Sequence, residues 1–184
     1  METLTKQFED FLVEAHRLKT AYASRIKLLV GLETEFITPV DLDSLQALLE
    51  KHGDSIEYVV GSLHHVNGIP IDFDLPTFQK ALNKFNDPTM LVSRDFHAME
   101  SFLSSYFDAH FELLNHIRPE VVGHIDLCRL YDHTLKLREF PSAWGRLVRN
   151  VRFAVEYGAL FEANAAAFRK GWPTAYPAED VLEV

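Results

Sequence analysis

Cysteine is nearly absent from this sequence. The one cysteine, Cys128, cannot form a disulfide within the chain. No basic segment followed by an apolar stretch opens the chain, so nothing resembles a secretory signal. Long hydrophobic runs are absent too: runs such as residues 28–32 and 58–63 are far shorter than the roughly 20 residues that a membrane span needs. We therefore expect a cytoplasmic, reducing setting and no membrane partner.

Basic residues are also scarce relative to acidic ones. The chain has 18 lysines and arginines against 27 aspartates and glutamates, which gives a formal net charge of −9. Nucleic-acid binding depends on clustered basic side chains that neutralise phosphates, so nucleic acid is not an expected partner. What the chain does have is apolar residues, at 47% of its 184 positions, enough for the core of one domain.

The spacing of the apolar residues changes repeatedly along the chain. Apolar residues three and four apart predict helices over residues 4–22, 41–52, 75–85, 90–116 and 143–157, with a further helix beginning in 176–184. Short apolar runs predict buried strands over residues 26–32, 58–63, 120–123 and 159–163. This alternation favours an α/β fold of about four parallel strands joined by crossover helices.

Polar residues follow each of the four predicted strands. They are Glu33, then His64 and His65, then His124 and Asp126, and finally Asn164. In parallel α/β folds, the carboxyl ends of the strands collect the functional residues. Glu33, His64 and His124 together are a ligand set that suits zinc, manganese or iron. Each histidine alone is more often a hydrogen-bonded structural residue than a ligand, so both interpretations stay open at this point.

Three segments resemble successive motifs of the PHP (polymerase and histidinol phosphatase) superfamily. They are Gly31–Glu33, Gly61–Asp74 and Gly123–Leu127. The second is long, and its extension to Asp74 is similar to the histidinol-phosphatases in particular. A later block, from Phe161 through Lys170 to Pro177, resembles a strand and the basic loop that follows it in the same family.

The resemblance implies a fold, an activity and site residues. The fold is a distorted barrel of seven βα units with up to three metals at the carboxyl ends of its strands. Glu33 would bridge two metals, His64 and His124 would hold one of them, and Arg169 and Lys170 would contact the substrate phosphate. The implied reaction is hydrolysis of L-histidinol phosphate to L-histidinol and phosphate, in histidine biosynthesis, by metal-activated water without a covalent enzyme intermediate. We also expect Asp126 to orient a ligand or water.

The sequence departs from the family at both ends. The family opens with a His-x-His motif and closes with an Asp-x-His motif, and neither terminal motif is present. We therefore expect residues 1–184 to form a single, incomplete PHP domain, a partial barrel whose exposed strand edges favour self-association. The alternative to an active phosphatase is an inactive PHP fragment or pseudoenzyme that acts as a binding or regulatory module.

Overall fold

Helices and short strands alternate along residues 2–86 and 94–184, the part of the chain that the computed structural model describes. The helices are α1 (Glu2–Ala21), α2 (Pro39–His52), α3 (Leu75–Asn83), α4 (Arg94–Ile117), α5 (Pro141–Tyr157), α6 (Ala166–Arg169) and α7 (Glu179–Leu182). The strands are β1 (Gly31–Glu35), β2 (Tyr58–Ser62), β3 (His65–Val66), β4 (Ile69–Pro70), β5 (Val121–Val122) and β6 (Leu160–Phe161). No helix within the described residues is both long and apolar enough to cross a membrane.

Four of the strands form one parallel sheet in the order β1-β2-β5-β6. Helix α2 connects β1 to β2, helices α3 and α4 lie between β2 and β5, and α5 connects β5 to β6. The α/β class with parallel strands and crossover helices is therefore confirmed. Because neighbouring strands are also consecutive strands of this sheet, the order is that of a barrel wall, and all four carboxyl ends meet at one edge.

Two sequence predictions of element bounds are wrong. The first strand was expected at residues 26–32, but β1 begins at Gly31, which pairs with Tyr58. The preceding apolar residues do not join the sheet, and Ile26 and Leu29 are more than half exposed. Glu33 therefore lies within β1 rather than after it.

The second error concerns the last predicted helix, over residues 176–184. Tyr176 pairs with Asn164 in an antiparallel bridge, and α7 begins only at Glu179. The other predicted helices match the structure closely. The expected start of the fourth helix at Met90 lies outside the described residues.

Helix α4 is the centre of the hydrophobic core. Phe102, Leu103, Tyr106 and Phe107 have no exposed surface, and the helix packs along α5.

The same buried face of α4 carries His110, whose two ring nitrogens have no hydrogen-bond partner among the described residues. Burial, and to a lesser extent the nearby charge of His124, lowers the pKa of His110 to about 3. The core therefore holds a neutral imidazole.

We expect His110 to make the fold sensitive to acid. Between pH 6.5 and about 3, the unfolded chain binds a proton at this position and the folded chain does not. Stability must therefore fall as the pH falls through this window, by at most about 1.4 kcal/mol per pH unit. Urea unfolding at pH 7.5 and pH 5 should show a smaller loss for His110→Leu than for the wild type. The control is His116→Leu, an exposed position on the same helix. Equal losses in wild type and His110→Leu would contradict this role.

Candidate metal centre

Three strands of the sheet bring the predicted ligands together. Glu33 lies in β1, and His64 and His124 each follow the last residue of a strand, β2 and β5, by two positions. One donor atom from each of the three side chains lies within 4.8 Å of the other two. The parallel register therefore gathers a carboxylate and two imidazoles at the carboxyl edge of the sheet.

A carboxylate holds each of the two imidazole rings. Nδ1 of His64 lies 2.5 Å from Oε2 of Glu35, and Nδ1 of His124 lies 3.2 Å from Oε2 of Glu162. Because an ionised carboxylate only accepts hydrogen bonds, each Nδ1 carries a proton. In the neutral rings, the two Nε2 atoms, which face each other at 2.9 Å, then carry lone pairs.

This arrangement fits a metal ion. Two lone pairs that face each other at 2.9 Å repel unless a cation or a proton lies between them. Two nitrogens bound to one tetrahedral zinc ion, each about 2.0–2.1 Å from it, are themselves about 3.3–3.4 Å apart, so the rings need to separate by only about 0.5 Å to hold it. Carboxylate–histidine pairs are also the usual way in which proteins fix the tautomer and orientation of a metal-binding imidazole. The donor set, its spacing and its supporting carboxylates therefore all suit a divalent cation.

Glu33 is positioned by a serine from the neighbouring strand. The hydroxyl of Ser62 is fully buried and donates to Oε1 of Glu33 at 2.8 Å. This serine also packs against Gly123, where a β-carbon would lie only 2.5 Å from the serine oxygen. A glycine directly before His124 therefore lets β5 approach close to the residue that orients Glu33.

Glu35 and His64 shift each other's pKa. Burial favours the neutral form of both groups, but their shared hydrogen bond and opposite charges outweigh it. The pKa of Glu35 is consequently lowered and that of His64 is raised. Glu35 also accepts from Nδ1 of His65 at 3.1 Å and from the backbone N–H of His64 at 3.1 Å. The carboxylate thus fixes both the ring and the backbone of His64.

His124 is held in an unusual backbone conformation. Its φ is +20°, a value that non-glycine residues rarely adopt, and the side chain is buried. Oε2 of Glu162 accepts from its backbone N–H at 3.0 Å as well as facing Nδ1. Burial alone would raise the pKa of Glu162. The hydrogen bonds from His124 and Asn164 have the larger, opposite effect, so the pKa of Glu162 is lowered. Such strain collects at functional sites, where the surrounding contacts maintain it.

Of the remaining predicted site residues, Lys170 lies at the centre, whereas Arg169 and Asp126 lie away from it. Lys170 lines a cavity of about 140 Å³ together with His64 and His124, whereas Arg169 is exposed and is not among the described residues that line this cavity. Asp126 has no exposed surface, and its Oδ2 accepts from Arg129 at 2.7 Å and from the backbone N–H of Ala178 at 2.8 Å. Its carboxylate therefore binds an arginine rather than either histidine of the centre.

Sequence reasoning missed Glu35, Glu162 and Asp72. Glu35 follows Glu33 by two residues, and alternate residues of a strand lie on one face, so a correct bound for β1 would have indicated it. Glu162 directly follows β6 and was included in the later block without a role. Asp72 lines the same cavity as the two histidines. It lies within the segment Gly61–Asp74 that resembles the family, but no role was assigned to it there.

Residues 3–166 match the PHP domain family, and the chain belongs to this family. A Schizosaccharomyces pombe protein named "Probable histidinol-phosphatase" is 40% identical over the whole chain, and a Saccharomyces cerevisiae protein named "Histidinol-phosphatase" is 32% identical. The chain spans 57% and 60% of the lengths of these curated relatives. A crystal structure of a candidate histidinol phosphatase from Listeria monocytogenes shares the fold, with a TM-score of 0.69 at 17% identity, over 97% of this chain and 66% of that one.

Proposed function

We propose that this chain carries the metal centre of a phosphatase that hydrolyses L-histidinol phosphate to L-histidinol and phosphate in histidine biosynthesis. The observation that carries the proposal is the pair of Nε2 atoms 2.9 Å apart, each on a ring held by a carboxylate and both beside Glu33. The names of the two curated relatives supply the substrate and favour this activity over an inactive binding module.

Each residue of the centre has a distinct role in this proposal. Glu33, His64 and His124 hold the divalent metal, which is zinc, manganese or iron. When bound, the metal neutralises phosphate oxygens and lowers the pKa of water. The lysine in the cavity, Lys170, binds a phosphate oxygen. Arg169, next to it in the chain, offers a second, planar set of donors for the same phosphate.

The remaining side chains of the centre position other residues and do not react with the substrate. Glu35 and Glu162 keep the rings of His64 and His124 oriented, with each Nε2 free of a proton and available to the metal. Asp126 makes no hydrogen bond to the metal ligands. Its hydrogen bonds with Arg129 and Ala178 fix the loop that follows His124. We propose no nucleophilic side chain and no covalent enzyme intermediate.

The assay that tests this function is release of inorganic phosphate from L-histidinol phosphate by the purified chain supplied with manganese or zinc. We expect turnover in the wild type and its loss in Glu33→Ala and His64→Ala. Asp43→Ala, an exposed position on α2, should behave like the wild type. A folded, metal-loaded wild type that releases no phosphate would contradict the proposal. That result is the one expected for an inactive binding module.

The setting and partners follow from charge and surface. We propose a cytoplasmic protein without nucleic-acid or membrane partners; Cys128 is buried as a free thiol.

Within the described residues, β1 and β6 each have one side unpaired in the sheet. Exposed apolar side chains accompany them, Leu29 before β1 and Leu160 in β6. Unpaired strands with apolar neighbours favour association, so we propose that two copies of this chain pair through these edges.

Self-association should therefore depend on concentration and on the β6 edge. Light scattering after gel filtration is expected to show a rising mean mass as the chain is concentrated. Leu160→Lys should lower that mass, because a charge on an edge strand opposes pairing. The control is Val13→Lys, which changes an exposed valine on α1. A constant monomer mass in the wild type, or an equal response in both variants, would count against pairing through β6.

A further inference from the structure

A small hairpin returns the chain to the metal centre and places Asp72 there. Strands β3 and β4 pair antiparallel directly after His64, with the turn at Asn67 and Gly68 in left-handed conformations. The backbone N–H of Ile71 then donates to the carbonyl oxygen of His64 at 2.9 Å. The Ile71 side chain has no exposed surface, so it anchors the segment in the core. Asp72 is therefore fixed beside His64 although it lies eight positions further along the chain.

Asp72 contributes an anionic group to the cavity at the centre. The cavity is lined by both histidines, by Asp72 and by Lys170. Asp72 is half-buried, and its carboxylate has no hydrogen bond or ion pair with the described residues. In addition to the candidate metal ligands, the cavity thus contains one lysine and one carboxylate that has no partner in the described part of the chain.

The Asp72 carboxylate is separate from the metal-binding set. The donor atoms that lie within 4.8 Å of one another belong to Glu33, His64 and His124, and Asp72 is not among them. A half-buried carboxylate without a partner bears a desolvation cost that a cationic ligand group would offset. A ligand with an anionic end and a cationic end would therefore satisfy both Lys170 and Asp72.

We propose that Asp72 binds the ammonium group of an amino alcohol phosphate whose phosphate group lies at Lys170 and the metal centre. The inference rests on the proposed function and narrows it, because it makes the amine a requirement for recognition. In L-histidinol phosphate the ammonium-bearing carbon is adjacent to the carbon that carries the phosphate ester. The two charged groups are therefore close enough to occupy one small cavity. Asp72 is a specificity residue and takes no part in the bond cleavage.

Binding of two phosphonates tests the inference without turnover. The first is L-histidinol phosphate with a methylene group in place of the ester oxygen, and the second is the same phosphonate without its amine. Calorimetry on the metal-loaded wild type should show the first binding about tenfold to a hundredfold more tightly, the range of a hydrogen bond between charged groups. Asp72→Asn should remove this preference by weakening only the first, whereas Asp43→Asn should leave it intact.

The outcomes separate this inference from the proposed function. Equal affinity of the wild type for the two phosphonates would overturn the role of Asp72. A loss of affinity for both in Asp72→Asn, or a lower metal content in that variant, would overturn it too. An amine preference in a wild type that releases no phosphate from L-histidinol phosphate would support the role of Asp72 and contradict the proposed function. Turnover without an amine preference would support the proposed function and overturn the role of Asp72. A chain that binds neither phosphonate would contradict both the proposed function and the role of Asp72.

Discussion

Replacing His124 with alanine is expected to weaken metal binding by at least about a hundredfold. The change removes one of the two facing nitrogens and leaves His64 and Glu33, which are too few ligands for a tight site. Affinity for zinc or manganese can be measured by competition with a chromophoric chelator at constant pH. Since His124 is also the residue with φ +20°, a circular dichroism spectrum of the variant should accompany the titration.

A graded series makes this prediction specific to the centre. Glu162→Gln retains all three ligands but replaces the carboxylate that fixes the His124 ring, so it should weaken the metal by about tenfold to a hundredfold. His116→Ala changes an exposed histidine on α4 and should leave affinity unchanged. The interpretation fails if His124→Ala binds metal as tightly as the wild type, or if all three variants lose affinity equally.

Arg129→Met is expected to destabilise the fold by about 3–5 kcal/mol, the usual cost of removing one partner of a buried ion pair. The Arg129 side chain is 2% exposed and binds Asp126 at 2.7 Å and Asp180 at 2.8 Å. It also donates to the carbonyl oxygen of Leu135 at 3.0 Å. Methionine fills similar space but leaves Asp126 as an uncompensated buried charge. Urea unfolding at pH 7.5 measures the loss.

A second arginine provides the matched control for this stability effect. Arg138 pairs with Glu183 at 2.7 Å, but both side chains are at least half exposed. Exposed pairs contribute about 0–1 kcal/mol, so Arg138→Met should change the midpoint little. Equal stability of Arg129→Met and Arg138→Met would contradict the claim that the buried ion pairs of Arg129 with Asp126 and Asp180 join the segment after His124 to α7.

The gathering of Glu33, His64 and His124 at one edge of the sheet was predictable from the sequence, because functional residues collect at the carboxyl ends of parallel strands. His64 and His124 are predicted to follow strands, and they lie two residues beyond β2 and β5, respectively. Glu33 was chosen for the same reason although its strand was misplaced. The apolar run at residues 26–30 looked like a strand, but only pairing with β2 decides where β1 begins, and that pairing is not local information.

The supporting contacts could not be predicted because they join distant residues. Asp126 and Asp180 meet on Arg129 across 54 positions of the chain, and Glu162 meets His124 across 38. Asp126 looked like a site residue because it lies two positions after His124, a candidate ligand. Its orientation towards Arg129 depends on how the segment near Ala178 folds back over it. Residue type and spacing indicate ligands, whereas packing decides which carboxylate supports which ring.

Anomalous X-ray scattering from crystals of the chain grown with zinc or manganese tests the metal centre most directly. We expect one strong peak at about 2.0–2.2 Å from Nε2 of both His64 and His124, with a carboxylate oxygen of Glu33 completing the protein ligands. A fully loaded crystal with its only metal peak elsewhere, or with the two Nε2 atoms still in direct contact, would contradict it.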